Sequence, residues 1–323
     1  MKSKKSNFIL LVHGEPNSIF LEIFFKALKK KNFKKPLILI SSERILKLQM
    51  KYLNFKKNIR FLDFRKLNKY KIDNNSINLI NIDLDVKNLF LKNYKTNKFI
   101  EKSFEVALNI LKLGITNKFI NGPISKKTFL KKKYPGITEY LAKKTGIKKY
   151  AMLIYNNKLS VCPLTTHIPL KKVTKLVTKK NIIEKIYLIN DFYKKVKNIK
   201  PKIAITGLNP HCESNDKYNE DEKIIKPTVK YLKSLGYKIS GPISADTIFL
   251  KDNRKKFDVI LGMYHDQVLS PLKTVFEFDA INITLGLKFI RISPDHGPNS
   301  NMVGKNKSNP LSLISAINFL DNN

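Results

Sequence analysis

The sequence predicts an α/β fold built on mostly parallel strands. Short apolar runs alternate with segments of helical periodicity along nearly the whole chain, which is the pattern of repeated strand–helix–strand units. Several runs are continuously apolar, as is typical of strands that are covered by helices on both faces. The chain has 323 residues, more than one typical domain, and a hydrophobic content of 42%, which suffices for a large core.

The first part of the chain contains four predicted strands, at 8–12 (FILLV), 36–41 (PLILIS), 77–82 (INLINI) and 118–122 (KFING). Two segments have apolar residues on one helical face. In the segment 18–30 these apolar residues are Ile19, Ile23, Phe24, Ala27 and Leu28. In the segment 99–113 they are Phe104, Ala107, Leu108 and Leu111. Gly114 is a suitable end for the second helix.

The second part of the chain repeats the alternation. We predict strands at 159–164 (LSVCPL), 202–208 (KIAITGL) and 258–264 (DVILGMY), and helices at 182–196, 220–235 and 310–320. The last helix opens with Pro310, a residue that suits the first helical turn. The turn chemistry of 121–126 (NGPISK) suggests a domain boundary in that segment.

Three histidines follow the three apolar runs of the second part: His167, His211 and His265. In open α/β sheets, ligands bind beyond the carboxyl ends of the strands. Neutral histidine is the commonest metal ligand, and three such ligands with open positions are typical of a catalytic metal site. A single histidine in this position is more often an ordinary loop residue, so the hypothesis depends on the trio.

Other polar residues at predicted element ends leave alternatives open. Asp246 is either a helix cap or a carboxylate beside the metal. Lys273, Asn282 and Arg291 form a candidate anion-binding set, in which Arg291 is one of only five arginines. His296 is a further candidate ligand or a loop residue, and Cys212 is a candidate fourth ligand or a bystander.

The composition argues against several classes of protein. The formal charge is +37, yet 57 of the 62 basic residues are lysines and tryptophan is absent, which does not favour a nucleic-acid surface of arginines and stacked aromatics. No apolar stretch reaches the length of a membrane span, and two cysteines without metal spacing fit a reduced compartment. We therefore expect a cytoplasmic protein that binds neither nucleic acid nor membrane. GxGxxG, P-loop and GxSxG motifs are absent from the sequence.

Nine short strings, taken together, resemble the 4-hydroxythreonine-4-phosphate dehydrogenase family of pyridoxal phosphate biosynthesis. They occur in the family's order and span nearly the whole chain: GEP (14–16), GPISK (122–126), TEYLA (138–142), TTHIPL (165–170), GLNPH (207–211), GPISADTIF (241–249), MYHDQ (263–267), NITLGLKFIR (282–291) and DHG (295–297). The resemblance implies two α/β domains of the isocitrate and isopropylmalate dehydrogenase type, with the active site in the interdomain cleft. We expect a terminal, cofactor-side domain of residues 1–122 plus 256–323 and a central, metal- and dimer-side domain of 123–255.

The resemblance also implies roles for individual residues. His167, His211 and His265 match the divalent metal ligands, and Asp246 lies near the metal in the matching segment. Thr138, Lys273, Asn282 and Arg291 match substrate-binding positions, with Asp246 and Lys273 as the candidate catalytic residues. Gly297, Asn301 and Gly304 fall in the cofactor loop. The family is an obligate homodimer whose site is completed across the subunit interface.

The chemistry that the resemblance implies is an oxidative decarboxylation. The substrate is 4-phosphooxy-L-threonine, a small phosphorylated amino acid, and the products are 3-amino-2-oxopropyl phosphate and CO2. NAD or NADP accepts the hydride, and a divalent metal polarises the reacting oxygen. Three imidazoles accept zinc, magnesium, cobalt or manganese to different degrees, so the sequence does not select the metal.

The chain departs from the family at the rims of the expected site. Ile137 stands where the family has a substrate-contacting histidine, and Asn17, Ser18 and Phe20 replace small residues after GEP. Asn299 and Asn306 lie in an altered cofactor loop, and 213–216 lacks the usual glycines. Two alternatives therefore stay open. One is the same metal and hydride chemistry on another phosphorylated hydroxy acid or a dihydrodiol, and the other is a non-catalytic binding protein that retains the fold.

Overall fold

The computed structural model describes residues 7–84, 94–125, 129–130, 134–214, 219–277 and 279–323. Three residues of the sequence motifs, Lys126, Asn215 and Asp216, lie outside the described residues. Among the described residues no helix is both long enough and apolar enough to cross a membrane.

Strands and helices alternate along the described chain, as predicted. The strands are β1 (Ile9–Val12), β2 (Leu37–Ser41), β3 (Ile59–Phe61), β4 (Ile77–Asn81), β5 (Lys118–Asn121), β6 (Ala151–Tyr155), β7 (Ser160–Thr165), β8 (Ile203–Thr206), β9 (Ile239–Ile243), β10 (Val259–Tyr264), β11 (Ile281–Leu285) and β12 (Ile290–Pro294). The α-helices are α1 (Phe20–Lys30), α2 (Glu43–Tyr52), α3 (Tyr94–Lys112), α4 (Ile137–Lys144), α5 (Lys179–Phe192), α6 (Lys226–Ser234), α7 (Ala245–Ile248), α8 (Lys251–Arg254), α9 (His265–Phe276) and α10 (Leu311–Asn322).

The chain divides into two compact units. Unit 1 consists of Met1–Tyr140 and Lys288–Asn323, and unit 2 of Leu141–Leu287. Residues 256–287, which we had expected in the terminal domain, lie in unit 2 because β10 pairs with both β7 and β8. β10 therefore belongs to the sheet of unit 2, although it is close in sequence to the last strand of unit 1. The boundaries at which each domain folds on its own stay a prediction.

The strands of unit 1 form a wholly parallel arrangement in the order β3-β4-β2-β1-β5-β12. Strands β1 and β2 are buried along their full length, which explains why both read as continuous apolar runs. Helix α3 packs on β1 and β2, while α10 packs on β5 and β12 and against α1. The carboxyl ends of β1, β5 and β12 consequently lie side by side.

The strands of unit 2 follow the order β11-β6-β7-β10-β8-β9. β7, β10, β8 and β9 are parallel, whereas β6 runs antiparallel to β7 and β11 antiparallel to β6. Helix α5 covers β6, β7 and β11, and α9 packs on β7 and β10. The mostly parallel α/β fold predicted from the alternation is therefore confirmed.

Several predicted bounds shift in the structure. The helix predicted at 220–235 begins as a π-helical turn, Asp221–Ile225, before α6 continues it. The helix predicted at 182–196 likewise ends in a π-helical turn, Tyr193–Lys197, which stops at Asn198 in a left-handed conformation. π-helical turns are rare and mostly a single turn long, so apolar periodicity alone does not reveal them.

Candidate active site

The three candidate metal ligands follow three neighbouring parallel strands of unit 2. His167 lies just beyond β7, His265 directly follows β10, and His211 lies beyond β8. β10 is hydrogen-bonded to β7 on one side and to β8 on the other. Because parallel strands end at the same edge of a sheet, the histidines share one edge of unit 2.

His167 and His265 form a close pair. Their ring centres are 5.8 Å apart and the ring planes are tilted by 37°. His265 is the first residue of α9, and its Nδ1 lies 2.6 Å from the carboxylate of Asp266. A carboxylate on one ring nitrogen orients an imidazole so that the other nitrogen is left to face a ligand.

His211 is near Asp246 of α7, whereas His167 and His265 are near each other. It sits in the short 3-10 turn Pro210–Cys212 and is electrostatically coupled to Asp246 in α7. The Ser244 hydroxyl donates a 2.6 Å hydrogen bond to Asp246. This bond, and then the nearby His211, lower the pKa of the exposed Asp246 carboxylate, against the opposing effect of partial desolvation. The carboxylate is thus held ionised beside His211.

Among the described residues, no group of three or more His, Cys, Asp and Glu side chains is arranged to hold a metal ion. The His167–His265 pair nevertheless fits two of the three expected ligands of such a site. With metal–nitrogen bonds of about 2.1 Å, two imidazoles on one ion bring their ring centres to roughly 5–6 Å. The donor chemistry and spacing of this pair fit a divalent transition metal, whereas His211 does not join the pair in a single chain.

Two of the three candidate ligands lie on backbone that L-residues seldom adopt. His167 has a φ of 39°, and His211 and the adjacent Cys212 have φ values of 56° and 61°. Non-glycine residues with such angles cost free energy and persist where the surrounding contacts enforce them. They concentrate at ligand-binding sites, which supports a functional interpretation of these turns.

Lys273 and Asn282 also belong to unit 2. Lys273 is exposed on α9, two helical turns after His265. Asn282 is half-buried in β11, and its Oδ1 has no hydrogen-bond partner among the described residues. A buried acceptor without a donor costs free energy unless a ligand or water supplies the donor. Asn282 is therefore suited to a substrate hydroxyl or amine.

Arg291 and Thr138 belong to unit 1, and both are buried. The Arg291 Nε donates a 2.6 Å hydrogen bond to Asn121 Oδ1 at the end of β5. Burial lowers the pKa of Arg291 to about 9, while Glu139 opposes that shift. The guanidinium is charged at neutral pH, but a substrate reaches it only if the groups that cover it move aside. Its role as a substrate ligand stays a prediction.

The predicted cofactor loop is anchored to α1 by a buried ion pair. Glu22 accepts hydrogen bonds from the backbone N–H of Ser308, at 2.7 Å, and from Lys26, at 2.9 Å. Lys26 also donates to the carbonyls of Asn306 and Ser308. Gly304 has a φ of 77°, a backbone conformation that is strained for any residue with a Cβ atom. Gly297 and Asn301 are exposed on the same loop.

The GEP motif forms a turn whose backbone touches the Gly-Pro turn after β5. A Cβ on Gly14 would lie 2.5 Å from the Pro123 carbonyl oxygen, and one on Gly122 would lie 2.0 Å from the His13 oxygen. Only glycine permits this approach. Phe20, which stands where the family has a small residue, is fully buried and stacks on His13. This rim of unit 1 is therefore filled by side chains.

Sequence reasoning missed residues that hold the candidate site together. Gln267 makes three hydrogen bonds at the ends of β10 and β8. Asp221 makes three to the segment after β8 that leads to His211. Gln267 stood inside the MYHDQ motif, two residues after a candidate ligand, and could have been found there. Asp221 had no comparable signal, because an acidic residue at the start of a predicted helix is usually a surface residue.

Comparison with known proteins gives consistent matches along the chain. Residues 32–320 match the family described as pyridoxal phosphate biosynthetic protein PdxA. A relative named 4-hydroxythreonine-4-phosphate dehydrogenase, from Sulfurihydrogenibium sp. (strain YO3AOP1), is 40% identical over 312 residues, which is 94% of each chain. The crystal structure of the enzyme of that name from Klebsiella pneumoniae superposes with a TM-score of 0.84 at 27% identity, over 98% of each chain. A D-threonate 4-phosphate dehydrogenase from Pectobacterium atrosepticum is 38% identical over 185 residues, 57% of each chain.

Proposed function

Because the chain belongs to the family of the pyridoxal phosphate biosynthetic protein PdxA, we propose that it is a 4-hydroxythreonine-4-phosphate dehydrogenase. The proposed reaction is oxidation and decarboxylation of 4-phosphooxy-L-threonine with NAD or NADP. The observation that carries the proposal is the placement of His167 and His265, 5.8 Å apart, at the ends of adjacent parallel strands. This pair has the chemistry and spacing to hold one divalent metal ion.

We infer that His167, His265 and His211 together hold the ion in a homodimer. Among the described residues His211 forms no metal-binding group of three with the other two within one chain, and the family resemblance implies a site that is completed across a subunit interface. When bound, the ion would stabilise negative charge on the substrate oxygen. Asp246, a carboxylate beside His211, is the candidate catalytic residue near the ion.

The remaining proposed roles concern substrate and cofactor. Lys273 is an exposed cation that would neutralise phosphate or carboxylate, and Asn282 offers an unsatisfied acceptor to a substrate donor. Arg291 and Thr138, which belong to unit 1, are proposed as substrate ligands because they match the family's substrate-binding positions. The loop with Gly297, Asn301 and Gly304, anchored through Glu22, would carry the nicotinamide cofactor.

The decisive experiment is NADH formation by the purified, metal-reconstituted protein with 4-phosphooxy-L-threonine. We expect turnover that depends on added Zn²⁺, Co²⁺, Mn²⁺ or Mg²⁺ and that EDTA abolishes. Bound metal and bound NAD without turnover of this substrate would overturn the proposed substrate. Failure to bind either NAD or metal would instead favour a non-catalytic protein that retains the fold.

A second candidate function is the same chemistry on D-threonate 4-phosphate. Ile137, a half-buried apolar residue at the start of α4, stands where the resemblance implies a substrate-contacting histidine, so one substrate contact of the family is altered here. The similarity to a D-threonate 4-phosphate dehydrogenase favours this candidate. The two substrates differ at C2, where one carries an amine and the other a hydroxyl, so one polar contact decides between them.

The two candidates are separated by comparing kcat/KM for both substrates in the wild type and in Ile137→His. If the chain is the phosphothreonine enzyme, the wild type prefers that substrate, and Ile137→His improves its KM. One polar contact contributes about 1–3 kcal/mol, which corresponds to roughly 5- to 150-fold. A wild-type preference for D-threonate 4-phosphate would establish the alternative.

A further inference from the structure

Gln267 lies on the first turn of α9, two residues after His265, and connects two of the three histidine-bearing strand ends. We propose that Gln267 is a positioning residue that fixes the ends of β10 and β8, the strands that precede His265 and His211. The inference rests on the proposed metal-binding role of those histidines. Gln267 itself would touch neither metal nor substrate.

The side chain of Gln267 acts where backbone pairing between β10 and β8 stops. The last paired residues are Leu261 and Ile205. Beyond them, Gln267 Oε1 accepts from the N–H of Met263 at 2.7 Å and from the Thr206 hydroxyl at 2.9 Å. Its Nε2 donates to the carbonyl of Gly207 at 2.8 Å. Beyond the last backbone pair, the amide side chain of Gln267 therefore supplies the hydrogen bonds that connect the ends of β10 and β8.

The same region of β10 is held from the β7 side. The Thr165 hydroxyl donates a 2.8 Å hydrogen bond to the carbonyl of Met263. Both backbone polar groups of Met263, which is fully buried and two residues before His265, are therefore bonded to side chains. Thr165 itself lies two residues before His167, so the bonds connect the three strand ends that precede the candidate ligands.

The His211 loop is fixed at its other attachment by Asp221. This carboxylate is fully buried and accepts from the backbone N–H groups of Leu208 and Asn209, at 2.8 and 3.0 Å, and from Asn209 Nδ2 at 2.9 Å. Gln267 and Asp221 thereby hold residues 207–209 from two sides. The next turn carries His211 and Cys212 in left-handed conformations, which require such constraint.

Glutamine fits this position better than a charged isostere. An amide supplies the acceptor for Met263 and Thr206 and also the donor for Gly207, whereas a carboxylate lacks the donor. Gly262 makes the approach possible, because a Cβ there would lie 2.3 Å from Val268 Cγ1 and 3.2 Å from Gln267 Oε1. The first turn of α9 can consequently lie directly on β10.

The test compares Gln267→Met with Tyr193→Phe in the full-length protein. Gln267→Met keeps the length of the side chain and removes all three bonds. Tyr193→Phe removes a buried 2.9 Å bond to Ser160, at the opposite end of β7 from His167, and is the matched control for lost stability alone. Two readouts are needed, namely hydrogen exchange of the 206–213 segment without metal, and Co²⁺ affinity with its visible absorption spectrum.

We expect Gln267→Met to speed exchange in 206–213 at least tenfold and to weaken Co²⁺ binding by about 10- to 100-fold, the range for groups that orient metal ligands. Tyr193→Phe should change neither by more than about twofold, since it leaves this hydrogen-bond network intact. Unchanged exchange in Gln267→Met overturns the positioning role. Should the wild type not bind Co²⁺, the proposed metal site fails, while the exchange measurement still decides the role of Gln267.

Two substitutions at Thr206 provide a second test in case Gln267→Met does not fold. Thr206→Val removes one donor to Gln267 and keeps the β-branched shape, whereas Thr206→Ser keeps the hydroxyl. We expect Thr206→Val to speed exchange of the loop several-fold and Thr206→Ser to retain the wild-type rate. Equal rates in the two variants would contradict the proposed network.

Discussion

The histidines at the strand ends of unit 1 and unit 2 look alike in sequence and differ in structure. His13 directly follows β1, just as His265 directly follows β10. His13 is fully buried, lies 2.8 Å from the Ser41 hydroxyl, and stacks on Phe20 at 5.8 Å. His167 and His211 are exposed, and His265 is half-buried. A histidine after an apolar strand is thus a core residue in one unit and a candidate ligand in the other.

The difference teaches that a strand-end histidine is a weak signal by itself. All five histidines of the chain follow a strand in the described structure, His296 included. Placement after a strand therefore does not distinguish the three candidate ligands from the other two histidines. What separates the candidate ligands from His13 is that Phe20 closes over the end of β1, whereas no comparable aromatic contact covers the His167–His265 pair among the described residues.

The largest expected effect comes from removing a candidate ligand in unit 2. His211→Ala should lower turnover more than about 100-fold and reduce bound metal, while the fold persists because the side chain is exposed. Metal content by elemental analysis and steady-state rates measure this. Cys212→Ala is the control, because the Cys212 thiol is not among the three proposed metal ligands. If His211→Ala kept full activity and full metal occupancy, His211 would not be a metal ligand. Its position after a strand would then be no more informative than that of His13.

The next largest effect is expected at Arg291, the buried cation of unit 1. Arg291→Met should raise the KM of the phosphorylated substrate about 10- to 100-fold, since hydrogen bonds to charged groups contribute about 1.5–3 kcal/mol. Asn121→Ala removes the 2.6 Å partner of the guanidinium and keeps the charge, so it should lower stability more than it raises KM. Loss of stability without a change in KM in Arg291→Met would assign Arg291 a purely structural role.

A smaller effect is expected in the acid stability of unit 1. Burial lowers the pKa of His13 from 6.5 to about 3. As the pH falls from 6.5 towards 3, the unfolded chain binds a proton that the folded chain does not, so the folded state loses stability in that window. Between pH 6.5 and 5 the loss is about 1.5 kcal/mol, and above pH 6.5 it vanishes.

The measurement for His13 is the free energy of unfolding at pH 6.5 and at pH 5, in the wild type and in His13→Gln. The variant has no titrating group at this position and should lose about 1.5 kcal/mol less over that interval. Identical pH dependence in the two proteins would mean that burial does not lower the pKa of His13.

The smallest effect is expected at the anchor of the cofactor loop. Glu22→Gln keeps the acceptor for Ser308 and removes the charge that faces Lys26, so we expect a loss of about 1 kcal/mol in stability and a few-fold higher KM for NAD. Glu43→Gln, which removes an exposed ion pair with Lys47 on α2, is the matched control. An unchanged KM for NAD in Glu22→Gln would mean that this loop does not bind the cofactor.

The alternation of apolar and helical segments determined much of the fold. The strands β1, β2, β4, β5, β7, β8 and β10 were predicted within a few residues, because buried parallel strands are continuously apolar. Short elements such as β3, α7 and α8 were missed, since three or four residues show no period. The order of strands in each unit was also out of reach, because pairing joins residues that are distant along the chain.

The sequence by itself determined the fold class, the family resemblance and the identity of the candidate ligands, because these depend on residue types in a fixed order. Only the tertiary structure decided which histidine is buried, which pair lies close together, and which neutral side chains hold the strand ends. Gln267 contacts Thr206 and Gly207 across about sixty positions of the chain. Burial and such contacts arise when distant segments pack against each other, and local sequence carries no record of that distance.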